Sequence, residues 1–401
     1  MTVVKNNKLE IVNKIINQID IDHVARIAQD LIRIPSPNPP GHEARVADYV
    51  IAYLESKGIT PYTQKLFPER YNVVARLKGE GSAPPLLFSC HMDVVPVSSY
   101  EAKRWKYDPF GGEIEDGFLY GRGAADAKGG LAALMTAIGL LADKGIKPPG
   151  DIIFAATVDE ENLMRGAKAL VESSLISDAA RAICCEPTNL QIQTCSKGRM
   201  WAEITVHGQT AHASIRGAGK NAIYRALKLM DKMESHEINH EKHPYLGEAF
   251  WQTTMIQGGV ERGIIPDHCT LNVDVRLLPG QTPDDIWKEM NYIFAEIKKE
   301  ISDFSAEISE LERREPWELS LDDQIVRSVA NACQVAGQPL VYSGYIGTAE
   351  CTIYKRAGID GLIFGPGILD NNAYKENERV SLQQLVQAAR IYAATMVTWE
   401  F

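Results

Sequence analysis

Four short strings in this 401-residue chain hold side chains able to bind a cation or move a proton. His91 and Asp93 stand in HMDVVP, directly after the apolar run PLLFSC. Asp126 lies in the glycine-rich GRGAADAKGG, Glu160 and Glu161 end DIIFAATVDEE, and Glu186 ends AICCEP. Three of the strings close an apolar, strand-like run, and the fourth precedes an apolar helix-like one. Carboxyl ends of sheet strands are where α/β folds place their ligands. One imidazole and several carboxylates would be drawn into one poorly solvated crevice, where the carboxylates would repel one another strongly. A divalent cation relieves that repulsion, and histidine with carboxylates suits zinc, manganese or cobalt. The expectation is one or two such metals per chain.

The elements that must position these residues follow from periodicity. Apolar residues at helical spacing predict a helix over 46–57 that stops at Gly58. The apolar runs at 85–90, 151–158 and 181–185 suit buried strands, and 131–141 is apolar all round, as a buried helix should be. Strands alternating with helices predict an α/β domain of three layers around a mixed sheet. Near Lys197 the pattern changes. Residues 200–206 and 269–277 alternate as half-buried strands do, while 221–233 and 283–299 read as helices. The first pattern then resumes with a helix over 322–336, strands at 340–342 and 361–364, and a closing helix over 383–399. The expected organisation is therefore a discontinuous catalytic domain, 1–196 with 314–401, interrupted by a smaller α/β sandwich over 197–313.

Composition narrows the function classes. Hydrophobic residues make up 45% and charged residues 23%, an ordinary globular balance. With 42 basic against 52 acidic residues the net charge is -10, a surface that does not draw nucleic acid or anionic lipid. No apolar run reaches the length of a membrane span. The opening MTVVKNNKLEIVNKIINQ is polar and broken by charge, so no secretion signal is expected. The seven cysteines show no zinc-knuckle spacing, which suits a reduced, cytoplasmic compartment.

HMDVVP, GRGAADAKGG, TVDEE and EP, in that order, resemble the zinc peptidase and deacylase superfamily of acetylornithine deacetylase, succinyl-diaminopimelate desuccinylase, aminoacylase-1 and carboxypeptidase G. The resemblance runs from about Ile34 to the last helix. It implies that His91 and Glu186 bind one metal, Glu161 binds a second, and Asp126 bridges the two. It makes Asp93 the carboxylate behind His91 that sets the imidazole tautomer. Glu160 becomes the general base, taking a proton from the attacking water and delivering it to the leaving nitrogen. In the inserted module, GQTAHAS matches a string whose histidine, here His212, steadies the oxyanion of the tetrahedral intermediate, often across a dimer interface. Arg276 matches an arginine that holds a substrate carboxylate. The module would then serve as lid and dimerisation domain of a homodimer.

Three positions depart from that pattern. Where a last metal-binding histidine is expected, FGPGILDNNAYKENE carries Tyr374, a poor zinc ligand unless its pKa of about 10 falls by several units. Tyrosinate does bind iron in catalase. IGTAE has Ala349 for an acidic residue, followed by Glu350, and Gly263 stands where a substrate-facing asparagine is expected. The first expectation is amide hydrolysis of a small carboxylate-bearing N-acyl amino acid or short peptide. The second is hydrolytic deamination of an aromatic amine at a single metal with Tyr374 as ligand, as in a nitroanthranilate aminohydrolase of this superfamily. A third is an inactive relative used for binding or assembly, against which the retained base and ligands speak.

Overall fold

The structure is a computed structural model and describes residues 10–400. The first nine residues of the opening segment, read above for a secretion signal, lie outside the described residues. The chain divides into two compact units: Met1–Thr194 with Leu319–Ser343 and Ala349–Phe401, and Cys195–Glu318 with Gly344–Thr348. The second unit thus takes in a short piece, Gly344–Thr348, that periodicity does not mark.

The first unit is built on a mixed sheet. Its strands β1 (Pro61–Phe67), β2 (Arg70–Leu77), β3 (Leu86–His91), β4 (Ile152–Thr157) and β5 (Arg181–Cys184) lie in the order β1-β2-β4-β3-β5, followed by the returning strand Asp360–Ile363. β1, β2 and β4 are antiparallel neighbours, whereas β4, β3, β5 and Asp360–Ile363 run parallel. Every residue of β3 and β4 is buried, as expected where helices or loops cover both faces of a parallel sheet. The covering helices include α1 (Ile21–Ile32), α2 (Ala44–Ser56) and α3 (Lys128–Asp143), and the last helix, Leu382–Thr398, packs on α3 and α1. α3 is buried on nearly its whole circumference, which explains why its sequence lacks a polar face.

The second unit is a four-stranded antiparallel sheet with two helices. β6 (Gly198–His207), β7 (Phe250–Gly258), β8 (His268–Leu277) and β9 (Ala306–Arg314) lie in the order β7-β8-β6-β9. The helices α4 (Ala222–Glu234) and α5 (Pro283–Glu300) bury the alternate residues of β6 and β8, among them Met200, Ile204, Leu271 and Val273. Periodicity finds the two central strands and misses β7 and β9. Both are edge strands with largely exposed side chains, so neither needs an apolar run or a clean alternation. In the first unit β1 escapes for the same reason. The strand expected at 340–342 begins later, at Tyr342–Tyr345.

Candidate active site

Parallel register brings the chemistry-bearing strand ends together. His91 closes β3 opposite Thr157, the last residue of β4, and Ser89 lies opposite Cys184 at the end of β5. Glu160 and Glu161 therefore leave β4 beside His91, and Glu186, two residues beyond Cys184, comes out level with it. The Nε2 of His91 is 3.0 Å from Asp126 Oδ1 and 3.8 Å from Glu186 Oε2. Ligand atoms of His91, Asp126 and Glu161 lie within 4.8 Å of one another, close enough to share one cation. Six of the sequence-marked residues, His91, Asp93, Asp126, Glu160, Glu161 and Glu186, thus gather at one end of the sheet.

Asp93 holds this end of the sheet in more ways than the sequence suggests. The Nδ1 of His91 contacts the backbone carbonyl of Asp93 at 2.9 Å, nearer than the Asp93 carboxylate at 3.5 Å. That carboxylate accepts the backbone N–H groups of Glu160 (3.1 Å) and Glu161 (3.2 Å) and the side-chain amide of Asn38 (2.7 Å). Burial opposes its charge, yet the bonds from His91, Asn38 and the Glu160 backbone hold its pKa below the ordinary carboxylate value. The chain turns out of β4 at Asp159, whose backbone is left-handed (φ 69°) and whose carboxylate binds Arg165 and Arg70.

The loop carrying Asp126 is organised around Glu378, at the end of KENE. One oxygen, Oε1, accepts the N–H groups of Gly123 (3.1 Å), Ala125 (3.0 Å) and Asp126 (3.2 Å), and Oε2 accepts Arg122 at 2.7 Å. Both side chains are buried, so the pair compensates charges that water cannot reach. Lys128, fully buried, donates to the carbonyls of Leu31 (2.9 Å) and Ile34 (2.7 Å) and ties the loop to the end of α1. At Gly123 (φ +86°) a Cβ would lie 2.5 Å from Val94, so this approach requires glycine.

Tyr374 stands half exposed with a left-handed backbone (φ 64°), and its hydroxyl donates to Glu161 Oε2 at 2.5 Å. Glu350 is buried under β3, where it accepts Ser89 Oγ at 2.6 Å and Tyr354 at 3.2 Å. The acidic side chain that IGTAE shifts by one place therefore still ends near the strand of His91. In the second unit, His212 is exposed, with Nδ1 accepting Ser214 Oγ at 2.7 Å. Arg276 pairs with Asp274 at 2.6 Å.

The donor set fits a divalent cation. Glu161 Oε1 is buried with no hydrogen-bond partner, an expensive arrangement for a carboxylate unless a cation completes it. Burial, then repulsion from Asp126, pushes the Glu161 carboxyl well above its ordinary range. Burial also lifts Glu186 to about 7, with His91 opposing the rise and Asp126 adding to it. The neighbouring carboxylates meanwhile raise His91 against its own burial. These are groups that hold protons where positive charge is needed.

Asn38, Arg122, Lys128 and Glu378 were not singled out from sequence. Of these, Lys128 and Arg122 lie inside GRGAADAKGG, and Glu378 ends the string that holds Tyr374, so their signal was adjacency to marked motifs. Asn38 had none, because its partner Asp93 is brought to it only by folding.

Residues 87–398 match the family described as Peptidase family M20/M25/M40. The chain is 32% identical to an acetylornithine deacetylase from Myxococcus xanthus, over 89% of this chain and 91% of that one. It is 28% identical to an N-formyl-4-amino-5-aminomethyl-2-methylpyrimidine deformylase from Bacillus subtilis, over 94% and 95%. Its fold is similar to that of aminopeptidase PepT from Bacillus cereus, with a TM-score of 0.77, 21% identity and coverage of 94% and 98%. A buried histidine–carboxylate cluster at the strand ends of a mixed sheet, in such company, defines a metal-dependent amide hydrolase. The chain belongs to peptidase family M20/M25/M40.

Proposed function

We propose that this enzyme hydrolyses the amide of a small, carboxylate-bearing N-acyl amino acid or short peptide. The observation that carries the reading is the convergence of His91, Asp126 and Glu161 within 4.8 Å, next to a buried Glu160. The two relatives named above support a short acyl group, since one is a deacetylase and the other a deformylase. A divalent metal held by His91, Asp126, Glu161 and Glu186 would supply a Lewis acid that acidifies water and polarises the scissile carbonyl. The hydrogen bond from Tyr374 to Glu161 supports counting its phenol oxygen with the Glu161 half of that set.

The protein's own residues then do the following. Glu160 takes the proton of the attacking water and delivers it to the nitrogen as the C–N bond breaks. Asp93, through the backbone N–H groups of Glu160 and Glu161, keeps base and ligand in fixed directions. In the second unit, His212 is assigned to the substrate oxyanion and Arg276 to the substrate carboxylate. A product assay tests the reading: a carboxylic acid plus an amine is expected from N-acyl amino acids. Ammonia released from an aromatic amine with no carbon fragment lost would overturn it.

We further propose a homodimer formed through the edge of the second unit. β7 is the end strand of its sheet and exposes Met255 and Ile256, while α4 exposes Tyr224 and Leu227. An unpaired edge with apolar residues beside it favours a second copy of the same strand. No described helix is long and apolar enough to cross a membrane. All seven cysteines are unpaired and buried, which supports a reducing, cytoplasmic setting.

A further inference from the structure

Two fully buried carboxylates meet behind Glu160. Asp93 lies on the loop leaving β3 and Asp159 on the turn leaving β4. The side-chain amide of Asn38, itself 2% exposed, stands between them. Its Nδ2 donates to Asp93 Oδ2 at 2.7 Å and to Asp159 Oδ1 at 3.1 Å, so both of its hydrogens are taken up by carboxylates. The chemistry of the place is specific. A neutral nitrogen with two hydrogens satisfies two acceptors without adding charge, whereas an aspartate would set a third carboxylate against the pair and a serine offers one hydrogen.

Asn38 is anchored on the β3 side. Its backbone N–H donates to the Val94 carbonyl at 2.9 Å, the Val94 N–H returns to the Ser36 carbonyl at 3.0 Å, and Ser36 Oγ donates to the Met92 carbonyl at 2.7 Å. Residues 36–38 are thereby stitched to residues 92–94, and the Asn38 side chain reaches from there to the exit of β4. On that far side Asp159 accepts Arg165 Nε at 2.6 Å and Arg70 Nη2 at 3.1 Å. Arg70 is fixed in turn by the buried Glu43, at 2.5 and 2.8 Å. The arginines answer the charge of Asp159, and Asn38 adds the link from Asp159 to Asp93. Because Asp93 also accepts the N–H groups of Glu160 and Glu161, a ring of hydrogen bonds closes around the backbone from which Glu160 projects.

We propose that Asn38 is a positioning residue for Glu160: by joining Asp93 to Asp159 it fixes the root of the base and so its aim at the attacking water. The effect on turnover rests on the amide-hydrolase reading, whereas the effect on the backbone does not.

Amide hydrogen exchange on the full chain, free of metal and resolved to single residues by mass spectrometry, reads the backbone directly. In Asn38→Ala the Glu160 and Glu161 amides should exchange about tenfold faster or more, while the amides of β4 stay within twofold of the unaltered chain. Asn38→Ser, with one hydrogen for two carboxylates, should fall between, and it decides if Asn38→Ala fails to fold. With zinc restored to saturation and an N-acyl amino acid as substrate, kcat should fall about 10–100-fold and KM should stay within twofold. In the Glu160→Gln background the same substitution should cost less than twofold, because a group that acts through the base then has nothing to act on. Unchanged exchange at Glu160 and Glu161, exchange that rises equally along β4, an unchanged kcat, or a full further loss in the Glu160→Gln background would each overturn the positioning role. Faster exchange at the two amides with no turnover of any N-acyl amino acid by the unaltered chain would instead overturn the hydrolase reading and leave the clamp standing.

Discussion

Glu378 Oε1 accepts the backbone N–H of Asp126 at 3.2 Å while its other oxygen binds the buried Arg122 at 2.7 Å. One carboxylate thereby shapes the loop that presents a proposed bridging ligand and also neutralises a guanidinium that water does not reach. Glu378→Gln should lower zinc affinity about 10–100-fold, as loss of a group supporting a ligand does. It should also cost about 1–3 kcal/mol of stability, because the buried Arg122 then keeps only its other carboxylate partner, Glu101. Zinc titration and denaturant unfolding check the two effects. Unchanged zinc affinity would confine Glu378 to a structural role.

Glu160→Gln keeps the size of the side chain and removes its basicity. With Asp93 still gripping the backbone of Glu160 and Glu161, metal content should not change. Turnover should fall about 10²–10⁴-fold, the usual contribution of a positioned base. Metal analysis beside steady-state kinetics reads both. Full turnover in the variant would remove Glu160 from the mechanism.

The Tyr374 hydroxyl donates to Glu161, and Tyr374→Phe removes that bond while keeping the ring. Metal content per chain after controlled loading should drop, and Tyr374→His should restore or exceed it. Exhaustive chelation should abolish turnover in all three proteins and return of the metal should restore it. If Tyr374→Phe loads as fully as the unaltered chain, the tyrosine is a neighbour and no ligand.

Asp323 caps the helix Gln324–Val335 through the Ile325 N–H at 2.9 Å and pairs with Arg181 at 3.0 Å. Burial opposes its charge, but those bonds hold its pKa below the ordinary aspartate value. The stabilisation is therefore present above the unfolded pKa of about 3.9 and lost as pH falls through the lower folded value. Asp323→Ala should cost about 1 kcal/mol at pH 7, mostly as a lost cap, since solvent screens the ion pair. Unfolding curves against pH should show the gap between variant and parent closing below about pH 4.

Met255 and Ile256 lie on the exposed edge strand β7. If that edge pairs two copies, Met255→Glu with Ile256→Lys should convert a dimer to a monomer without lowering the melting temperature of the isolated chain. Light scattering after gel filtration measures this. A dimer unaffected by the pair of changes would move the interface elsewhere.

Buried elements write themselves into composition. The apolar runs that become β3, β4, β5 and α3 are visible because every face of them must avoid water. The acidic and histidine residues at their ends were legible for the same reason, as polar groups with no place in such runs. Edge strands β7 and β9 were not, since solvent on one side relaxes the alternation.

By itself the sequence determined which side chains were available for metal and proton chemistry, the strands that end in them, and the family whose motifs they share. Tertiary structure decided which ones meet. Parallel register carries Glu186 to His91 although 95 positions separate them in sequence, and no local preference encodes that pairing. The partners of Asp93 and Glu378 were decided at the same level, because hydrogen bonds and ion pairs between distant residues exist only once packing has fixed the backbone that carries them.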